Sequence, residues 1–179
     1  LSVTNTIIEN MSGAGILTRY YAVFGANCVI ANCGQYALAL TLGGSYDFRQ
    51  TTIGNYWNYG IRNTESVYLN NYYIDEQNQV VPFPFAANFA NNIIWGNQRE
   101  EIAIDDSIGD FQFTFDHCLL KTEMEIEGDT NYQACLINED PLFLDYTVND
   151  LQLDSLSPAK NIGSIEIANT VPFDIKKVD

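Results

Sequence analysis

The chain is poor in basic residues, long apolar runs and strong helix formers, and each shortage excludes a class of protein. Only 8 of its 179 residues are Lys or Arg, against 23 Asp or Glu, and the formal charge is −15. Such a surface repels phosphate backbones, so nucleic acid is not expected as a partner. Asn, Gln or Gly interrupts every hydrophobic stretch before it reaches the length of a transmembrane helix, so no membrane span is expected. The first half has few Ala, Leu, Glu and Lys and no sustained helical period, which disfavours a helical fold.

The acidic charge is concentrated in the second half of the chain. Residues 1–99 hold five acids and four bases, a net charge of −1, whereas residues 100–179 hold eighteen acids and four bases, a net charge of −14. The apolar fraction of 46% excludes a disordered chain. Because the pattern described next runs through most of the length, we expect one domain.

Six copies of a short pattern run along the chain. Each has a small or mostly apolar residue first, Asn or a substitute third, and two mostly apolar residues at the end. The third positions are Asn5, Asn27, Gln50, Asn71, Asn91 and His117. A period of roughly 22 residues, as here, is typical of a solenoid, in which each copy is one coil stacked on the last.

Each copy predicts three strands. Apolar residues alternate before the Asn position, as in Phe111, Phe113 and Phe115, and a short apolar pair follows it. A second aliphatic column lies eleven residues after the Asn position and contains Ile16, Leu38, Ile61 and Ile102. We therefore predict an all-β fold, a parallel β-helix of about six coils of about 22 residues over 1–122, with 123–179 as a C-terminal closing segment of the same domain. Leucine-rich repeats share the period, but their regularly spaced leucines are missing.

The Asn positions have a physical explanation. Asn tolerates the left-handed turn conformation, and its amide can donate to one neighbouring coil and accept from the other. We predict a structural ladder of Asn5, Asn27, Gln50, Asn71, Asn91 and His117. The only histidine of the chain takes a ladder position in this prediction, so no catalytic role is assigned to it.

The four cysteines are Cys28, Cys33, Cys118 and Cys135. Cys28 and Cys118 occupy the same repeat position but lie four copies apart, about 19 Å at the spacing of β-strands, so they cannot form a disulfide. We expect at least three of the four to be free, buried thiols that fill the core. Cys118 and Cys135 are the one pair whose proximity stays open.

Two irregularities break the pattern. The step from Asn91 to His117 is the longest between copies and places extra residues in 97–110, and insertions in solenoids form loops on one face that often bind ligands. The chain enters the repeat directly after Leu1 and Ser2, so we expect further coils upstream in the parent protein, because an uncapped solenoid end leaves open strand edges.

Two groups of residues are candidates for binding. Aromatic side chains at Tyr36, Tyr56, Trp57 and Tyr59 fall in turn regions of neighbouring copies and suit the apolar faces of sugar rings. Stacking for core stability alone would give the same pattern. The acidic stretch that includes Asp105, Asp106 and Asp110 offers oxygen ligands for a hard cation such as Ca²⁺, although it lacks the spacing of an EF-hand. A solvated acidic loop is the alternative.

The coil pattern resembles bacterial exported right-handed parallel β-helix proteins of the pectate-lyase-like superfamily. The segments that carry the resemblance are 91–97 and 115–121, which look like recurrent coil sequences, and 140–145, 150–153 and 157–159, which are similar to a closing module of surface-associated members. The resemblance implies a right-handed fold and an extracellular or cell-surface location. It also implies a structural, adhesive or glycan-interaction role, with a polysaccharide or cell-surface glycan as partner.

Members of this superfamily also include enzymes, so cleavage of a complex carbohydrate is the alternative function. Polysaccharide lyases need a base beside cations that neutralise a uronate. Here Arg19, Arg49 and Arg62 fall at different repeat offsets and form no stripe. Asp105 and Asp106 resemble the paired acids of polygalacturonases, but the companion motifs of that group are absent. We assign no catalytic residue, and the oligomeric state stays open.

Overall fold

The computed structural model describes residues 1–105, 109–171 and 175. The fold is all-β, and its long parallel sheets are consistent with a parallel β-solenoid. Strands of the described residues are β1 (Ser2–Thr4), β2 (Ile7–Met11), β3 (Ile16–Ala26), β4 (Val29–Cys33), β5 (Leu38–Arg49), β6 (Thr52–Asn55), β7 (Val67–Asn70), β8 (Tyr72–Ile74), β9 (Val80–Pro82), β10 (Phe85–Ala90), β11 (Ile93–Gly96), β12 (Ile102–Asp105), β13 (Phe111–Asp116), β14 (Leu119–Leu120), β15 (Tyr132–Gln133), β16 (Leu136–Ile137), β17 (Phe143–Asp145) and β18 (Asp150–Leu153).

Helical structure is confined to the C-terminal part of the described chain. A 3₁₀-helix covers Tyr146–Val148, and the α-helix α1 covers Ile165–Ala168, with the Ser164 side chain at its N-cap. Neither is long and apolar enough to cross a membrane, and the same holds for any helix within the described residues.

The first sheet is parallel and divides in two after its third strand. β1, β3, β5, β10, β13 and β15 lie side by side in that order. β5 is long enough to pair with two strands on the same side, because residues 38–40 pair with β7 and residues 44–49 pair with β10. β12 continues the β7 branch, while β13 and β15 continue the β10 branch.

The second sheet is also parallel, and its strands lie side by side in the order β2, β4, β6, β11, β14 and β16. Its strands explain why the sequence pattern ends in two apolar residues. In β11, Ile94 is buried in the solenoid core, and its neighbour Ile93 packs in a second apolar cluster on the outer side. A parallel sheet that is covered on both faces favours such continuous apolar pairs over alternation.

A column of left-handed residues marks the passage from the first sheet to the second. Its members are Asn5, Asn27, Gln50, Asn91, His117 and Ala134, with φ between 46° and 55°. Each backbone N–H donates to the carbonyl just before the next member, as from Asn27 to Arg49 (3.0 Å) and from Gln50 to Ala90 (3.0 Å). The column therefore passes directly from Gln50 to Asn91, a step almost twice as long as the ones before it.

Asn71 lies outside this column, which corrects its predicted place in the ladder. The strand before it, β7, pairs with the first part of β5, as Leu69 does with Leu40, and so belongs to the other branch of the first sheet. Val67, which pairs with Leu38, takes the third place in the aliphatic column. Ile61 was expected there, but it is 87% exposed. The residues around Asn71 match the repeat pattern of the sequence. In the structure, however, the chain leaves the regular coil here and forms an excursion that contains the antiparallel hairpin β8–β9.

The core lies between the two sheets and is filled with aliphatic side chains and stacked aromatic rings. Along the β10 branch, Phe48, Phe89 and Phe115 stack with centroid distances of 5.8 and 4.8 Å, and Phe85 stacks on Phe111 at 4.5 Å. The three rings of the first series are almost completely buried. Repetition of one position in successive strands thus produces the ring stack.

The C-terminal segment runs lengthwise over the outer face of the second sheet. We predicted a closing segment at this end of the sequence, and its contacts extend back to the first strands. Its contact residues and their partners are Phe143 and Tyr146 with Tyr56, Asn149 with Glu9 and Asn10, Leu151 with Gly54, and Ser164 with Asn91. Phe143, Leu153, Ala159 and Ile162 form one apolar cluster with Trp95 and Leu119. The outer face of this sheet is therefore largely covered around β6, β11 and β14, while Ile7 and Met11 of β2 stay exposed.

Candidate functional site

The outer face of the first sheet carries an open groove of about 750 Å³. It lies beside the hairpin excursion, over the strands β3, β5, β10 and β13. The residues that line it are Leu1, Tyr20, Tyr21, Ala22, Gly44, Ser45, Pro84, Phe85, Ala86, Asp110 and Gln112. The groove combines an apolar lining with a few polar groups, which is the usual character of a ligand site.

The floor of the groove is a row of small side chains. Ala22, Ser45, Ala86 and Gln112 lie in register on four neighbouring strands, and all four are exposed. Three strand spacings give this row a length of about 14 Å. Because Ala and Ser project little from the sheet, they leave space for a flat ring above the backbone, and the long Gln112 side chain stands at one end.

A backbone irregularity forms one wall. The register between β3 and β5 shifts between Arg19 and Tyr21, and Tyr20 itself has a left-handed φ of 50°. Opposite it, Gly44 has φ of 121°, and a side chain there would collide with the carbonyl of Tyr21 and the ring of Tyr46. The bulge leaves Tyr20 and Tyr21 60% and 56% exposed, an unusual state for two adjacent aromatic residues.

The hairpin excursion extends this wall into an aromatic strip. The ring of Tyr20 contacts Phe83 at a centroid distance of 5.1 Å, and Phe83 stacks on Tyr73 at 5.9 Å. Tyr73 lies in β8, and Phe83 follows β9. The excursion therefore adds the rings of Tyr73 and Phe83 to the exposed ring of Tyr20.

Polar groups occupy the opposite side of the groove. Asp110 and Gln112 are both exposed, and the Gln112 Nε2 group donates to Asp110 Oδ1 at 3.0 Å. The backbone fixes this pair, because the N–H of Phe85 donates to the Asp110 carbonyl at 2.9 Å. A carboxylate and an amide held side by side can accept from and donate to neighbouring hydroxyl groups of a ligand.

A second, smaller cleft of about 340 Å³ lies further along the same outer face, beneath α1. Its floor residue Ala90 lies between Arg49 and Asp116 in the strand register. Arg49 is paired with Asp47 at 2.7 Å, and Asp116 Oδ1 lies 2.6 Å from His117 Nδ1. The cleft thus brings together one base, Arg49, and two acids, Asp116 and Glu166.

The four aromatic residues predicted to bind sugar are divided among three places. Tyr36 stacks on Tyr68 at 5.2 Å, Tyr56 stacks on Tyr146 at 4.3 Å beneath the C-terminal segment, and Trp57 meets Tyr59 edge to face at 5.1 Å. No ring contact among the described residues joins these three pairs to one another. Burial and nearby negative charge raise the pKa of both Tyr36 and Tyr56. Of the four, Tyr59 is exposed, at 73%, whereas Tyr36, Tyr56 and Trp57 are partly buried.

The predicted acidic cation site also separates in the structure. Asp105 accepts from the hydroxyls of Tyr68 and Tyr72 at 3.0 Å, whereas Asp110 belongs to the groove. Burial is the main cause that raises the pKa of Tyr68, and the hydrogen bond from Tyr68 to Asp105 raises it further. Asp106 lies outside the described residues. Over 1–105, 109–171 and 175, no three His, Cys, Asp or Glu side chains are grouped as metal ligands would be.

Arg62, one of the three arginines that form no stripe in the sequence, makes a buried ion pair with Glu101. Both side chains are 0% exposed, and Arg62 meets the two Glu101 oxygens at 2.8 and 2.9 Å. Ser66 Oγ donates to the same carboxylate at 2.5 Å, and Arg62 also donates to the carbonyl of Asn55 at 3.0 Å. The pair joins the end of β6 to the starts of β7 and β12, so it holds the corner between the two sheets.

Side chains of the left-handed column use several kinds of partner. Asn27 Nδ2 donates to Asn5 Oδ1 at 2.6 Å, as expected of an amide ladder. Asn91 instead exchanges two hydrogen bonds with the backbone of Ser164, at 2.8 and 2.9 Å, and His117 turns to Asp116. The backbone conformation is shared throughout the column, whereas the described side-chain contacts differ from one member to the next.

Sequence reasoning missed the groove, although the repeat contained a usable indication of it. Counting five residues back from the column members Asn27, Gln50, Asn91 and His117 gives the floor residues Ala22, Ser45, Ala86 and Gln112 in order. The inward positions of these strands dominate the apolar pattern, and the small outward residues between them mark the floor. Comparison with protein-family models, curated proteins and solved structures finds no match to this chain.

Proposed function

We propose that the chain is an exported or cell-surface module of a right-handed parallel β-helix protein, with about six coils and the architecture of the pectate-lyase-like superfamily, and that it binds a polysaccharide or cell-surface glycan. Binding would take place in the groove on the outer face of the first sheet. The observation that carries this proposal is the combination of two exposed tyrosines, a floor of small residues and an adjacent carboxylate and amide.

The chemistry of the groove suits neutral sugars. Aromatic faces such as that of Tyr20 stack on the apolar faces of sugar rings, and Asp110 and Gln112 offer hydrogen bonds to hydroxyl groups. A floor row of about 14 Å fits several linked rings better than one. Among the described side chains that line the groove none is Lys or Arg, and Asp110 would repel a uronate, so a neutral glycan is favoured over an acidic one.

A glycan array followed by affinity measurement tests the proposal. Wild type is compared with Tyr20→Ala and Tyr21→Ala, which remove exposed rings and should leave the thermal midpoint within a few degrees. The matched control is Tyr59→Ala, which removes an equally exposed ring from the site that the sequence predicted. We expect affinity for the bound glycan to fall about tenfold or more in the groove variants and to stay unchanged in the control.

Two results would contradict the proposal. The first is an array on which the natively folded protein binds no glycan. The second is binding that is lost in Tyr59→Ala and retained in both groove variants, which would return the site to Trp57 and Tyr59.

Cleavage of a complex carbohydrate, by a lyase or a glycoside hydrolase mechanism, is the second candidate. It is favoured by the cleft beneath α1, where Asp116, Glu166 and Arg49 line one cavity on the same face as the groove. A glycan that extends from the groove would reach these side chains. Analysis of the bound glycan for new reducing or unsaturated ends decides between binding and cleavage. Product formed by wild type and lost in Asp116→Asn would establish catalysis.

A further inference from the structure

We infer that Cys118 and Cys135 form a reversible disulfide that joins β14 to β16, the two strands at one end of the second sheet. This inference is independent of the glycan groove. It rests on strand register, thiol orientation and unequal burial of the two sulfurs.

The strand register brings the two cysteines side by side. Each immediately precedes its strand, and the first paired residues of these strands are Leu119 and Leu136. The N–H of Leu136 donates to the carbonyl of Cys118 at 2.8 Å, so the register extends back to the cysteines. Neighbouring in-register residues of parallel strands lie about 4.8 Å apart, within the Cα separation of about 4.4 to 6.8 Å that a disulfide requires.

The two thiols have the same orientation. The Cys118 sulfur lies 3.4 Å from the carbonyl oxygens of Phe89 and Asp116, and the Cys135 sulfur lies 3.4 Å from those of Phe115 and Gln133. In both cases one carbonyl is two residues back and the other is on the neighbouring strand. Side chains with this shared arrangement stack along the sheet, and the two thiols also interact directly with each other.

The two sulfurs differ in access and acidity, which sets the order of reaction. Cys118 is fully buried, whereas Cys135 is partly exposed. The hydrogen bond from Cys118 lowers the pKa of the Cys135 thiol, while burial raises that of Cys118. Cys135 is therefore the thiol that reacts first with an external oxidant.

The oxidant is a small disulfide such as oxidised glutathione. The Cys135 thiolate attacks one sulfur of glutathione disulfide, which releases one glutathione thiolate and leaves a mixed disulfide on Cys135. Cys118 then loses its proton and attacks the Cys135 sulfur, which releases the second glutathione. The protein loses two protons and two electrons, and the glutathione disulfide takes up both pairs to become two thiols.

The other two cysteines provide internal controls. Cys28 has the same position in the repeat, but Thr51 and Asn92 stand between it and Cys118 in the strand register. Three strand spacings, about 14 Å, separate them, one fewer than the sequence predicted, and the distance is still too long for a disulfide. Cys33 is fully buried in β4, and burial raises its pKa to about 11. Neither thiol is expected to react.

The experiment exposes the natively folded 179-residue chain to mixtures of oxidised and reduced glutathione and follows intact mass, peptide maps and thermal unfolding. Wild type and the double variant Cys28→Ser/Cys33→Ser should both lose two hydrogen atoms and yield a linked Cys118–Cys135 peptide. Cross-linking should raise the thermal midpoint by about 5 to 10 °C, because the bond closes a loop of intermediate length. A dithiol reductant should reverse both changes.

The variant Cys118→Ser separates the two steps. It should stop at a stable glutathione adduct on Cys135, because no second thiol is present to resolve it. The inference is overturned if wild type retains that same adduct without a cross-link, if all four thiols stay free, or if the linked peptide contains Cys28 or Cys33.

Discussion

The outer faces of the two parallel sheets differ in their exposure to solvent. On the first sheet, Ala22, Ser45 and Ala86 face solvent in a row, and exposed tyrosines stand beside them. On the second sheet, the outward residues Trp95 and Leu119 are buried beneath the C-terminal segment. The inner faces are alike, since both contribute to one core. The fold thus covers one outer face with its own C-terminal segment and leaves the other open to solvent.

The difference is visible in the strand sequences once the register is known. A strand that is buried on both faces carries adjacent apolar residues, such as Leu119 and Leu120 in β14, whereas an open strand alternates, as β13 does with Gln112 between Phe111 and Phe113. We therefore expect substitutions on the covered face to have large effects on stability. Substitutions on the open face should have small effects on stability and large effects on binding.

The largest loss of stability should occur at the corner that both sheets share. Replacing Glu101 by Gln leaves the fully buried Arg62 without its charged partner, and we expect the free energy of unfolding to fall by about 3 to 5 kcal/mol. Urea unfolding measures the change. The control is Glu123→Gln, whose partner Arg99 is 3.8 Å away and mostly exposed, and which should change stability by less than about 1 kcal/mol. Equal effects of the two variants would contradict the buried pair.

A substitution on the covered face comes next. Leu119 is 0% exposed beneath the C-terminal segment, so Leu119→Ala should lower the free energy of unfolding by about 2 to 4 kcal/mol through lost burial and a cavity. Thr114→Ala on the open face should change it by less than about 0.5 kcal/mol. If both variants unfold at the same urea concentration, the two outer faces do not differ as described.

Addition of a single methyl group probes the same contrast more finely. A Cβ at Gly54 would collide with the Leu151 side chain, so Gly54→Ala should destabilise the protein by about 1 to 3 kcal/mol. Ser45→Ala, on the floor of the open groove, should be close to neutral in thermal unfolding. If Gly54→Ala leaves the free energy of unfolding unchanged, the C-terminal segment does not pack closely against β6.

The smallest effect should be a gain. Ala134 has a left-handed φ of 49°, a conformation that is unfavourable for a residue with a Cβ, so Ala134→Gly should raise stability by about 0.5 to 1 kcal/mol. Ala103→Gly, in the extended strand β12, should lower it by a similar amount. A higher thermal midpoint for Ala134→Gly together with a lower one for Ala103→Gly would support the assignment of Ala134 to the left-handed column.

The sequence predicted the strand-rich solenoid because the repeat recorded the backbone geometry. Five of the six predicted Asn-column residues have left-handed angles, and their side chains were informative because few residue types tolerate that conformation. Asn71 was misplaced because β7 and the residues after it satisfy the same pattern of apolar and amide residues while pairing with the other half of β5. Local pattern does not specify which half of a long strand a neighbour will join.

The candidate site was harder to predict. The groove depends on a bulge in β5, where Leu42 and Gly43 lie opposite Tyr20, and on a hairpin excursion between Asn71 and Pro84, and both interrupt the repeat from which the prediction was built. The predicted aromatic group failed as one cluster because Tyr56 is covered by Phe143 and Tyr146, which come much later in the chain. Contacts across such a sequence distance leave no periodic trace.

Hydrogen–deuterium exchange, with and without a glycan identified on the array, tests the role of the open face most directly. The account predicts slower exchange in Tyr20–Ala22, Gly44–Ser45 and 84–86 when the glycan is bound. It also predicts no change in β11 and β14 of the covered sheet. Protection centred on 56–59, or protection in β11 and β14 with none in the groove, would contradict the assignment of the open face to ligand binding.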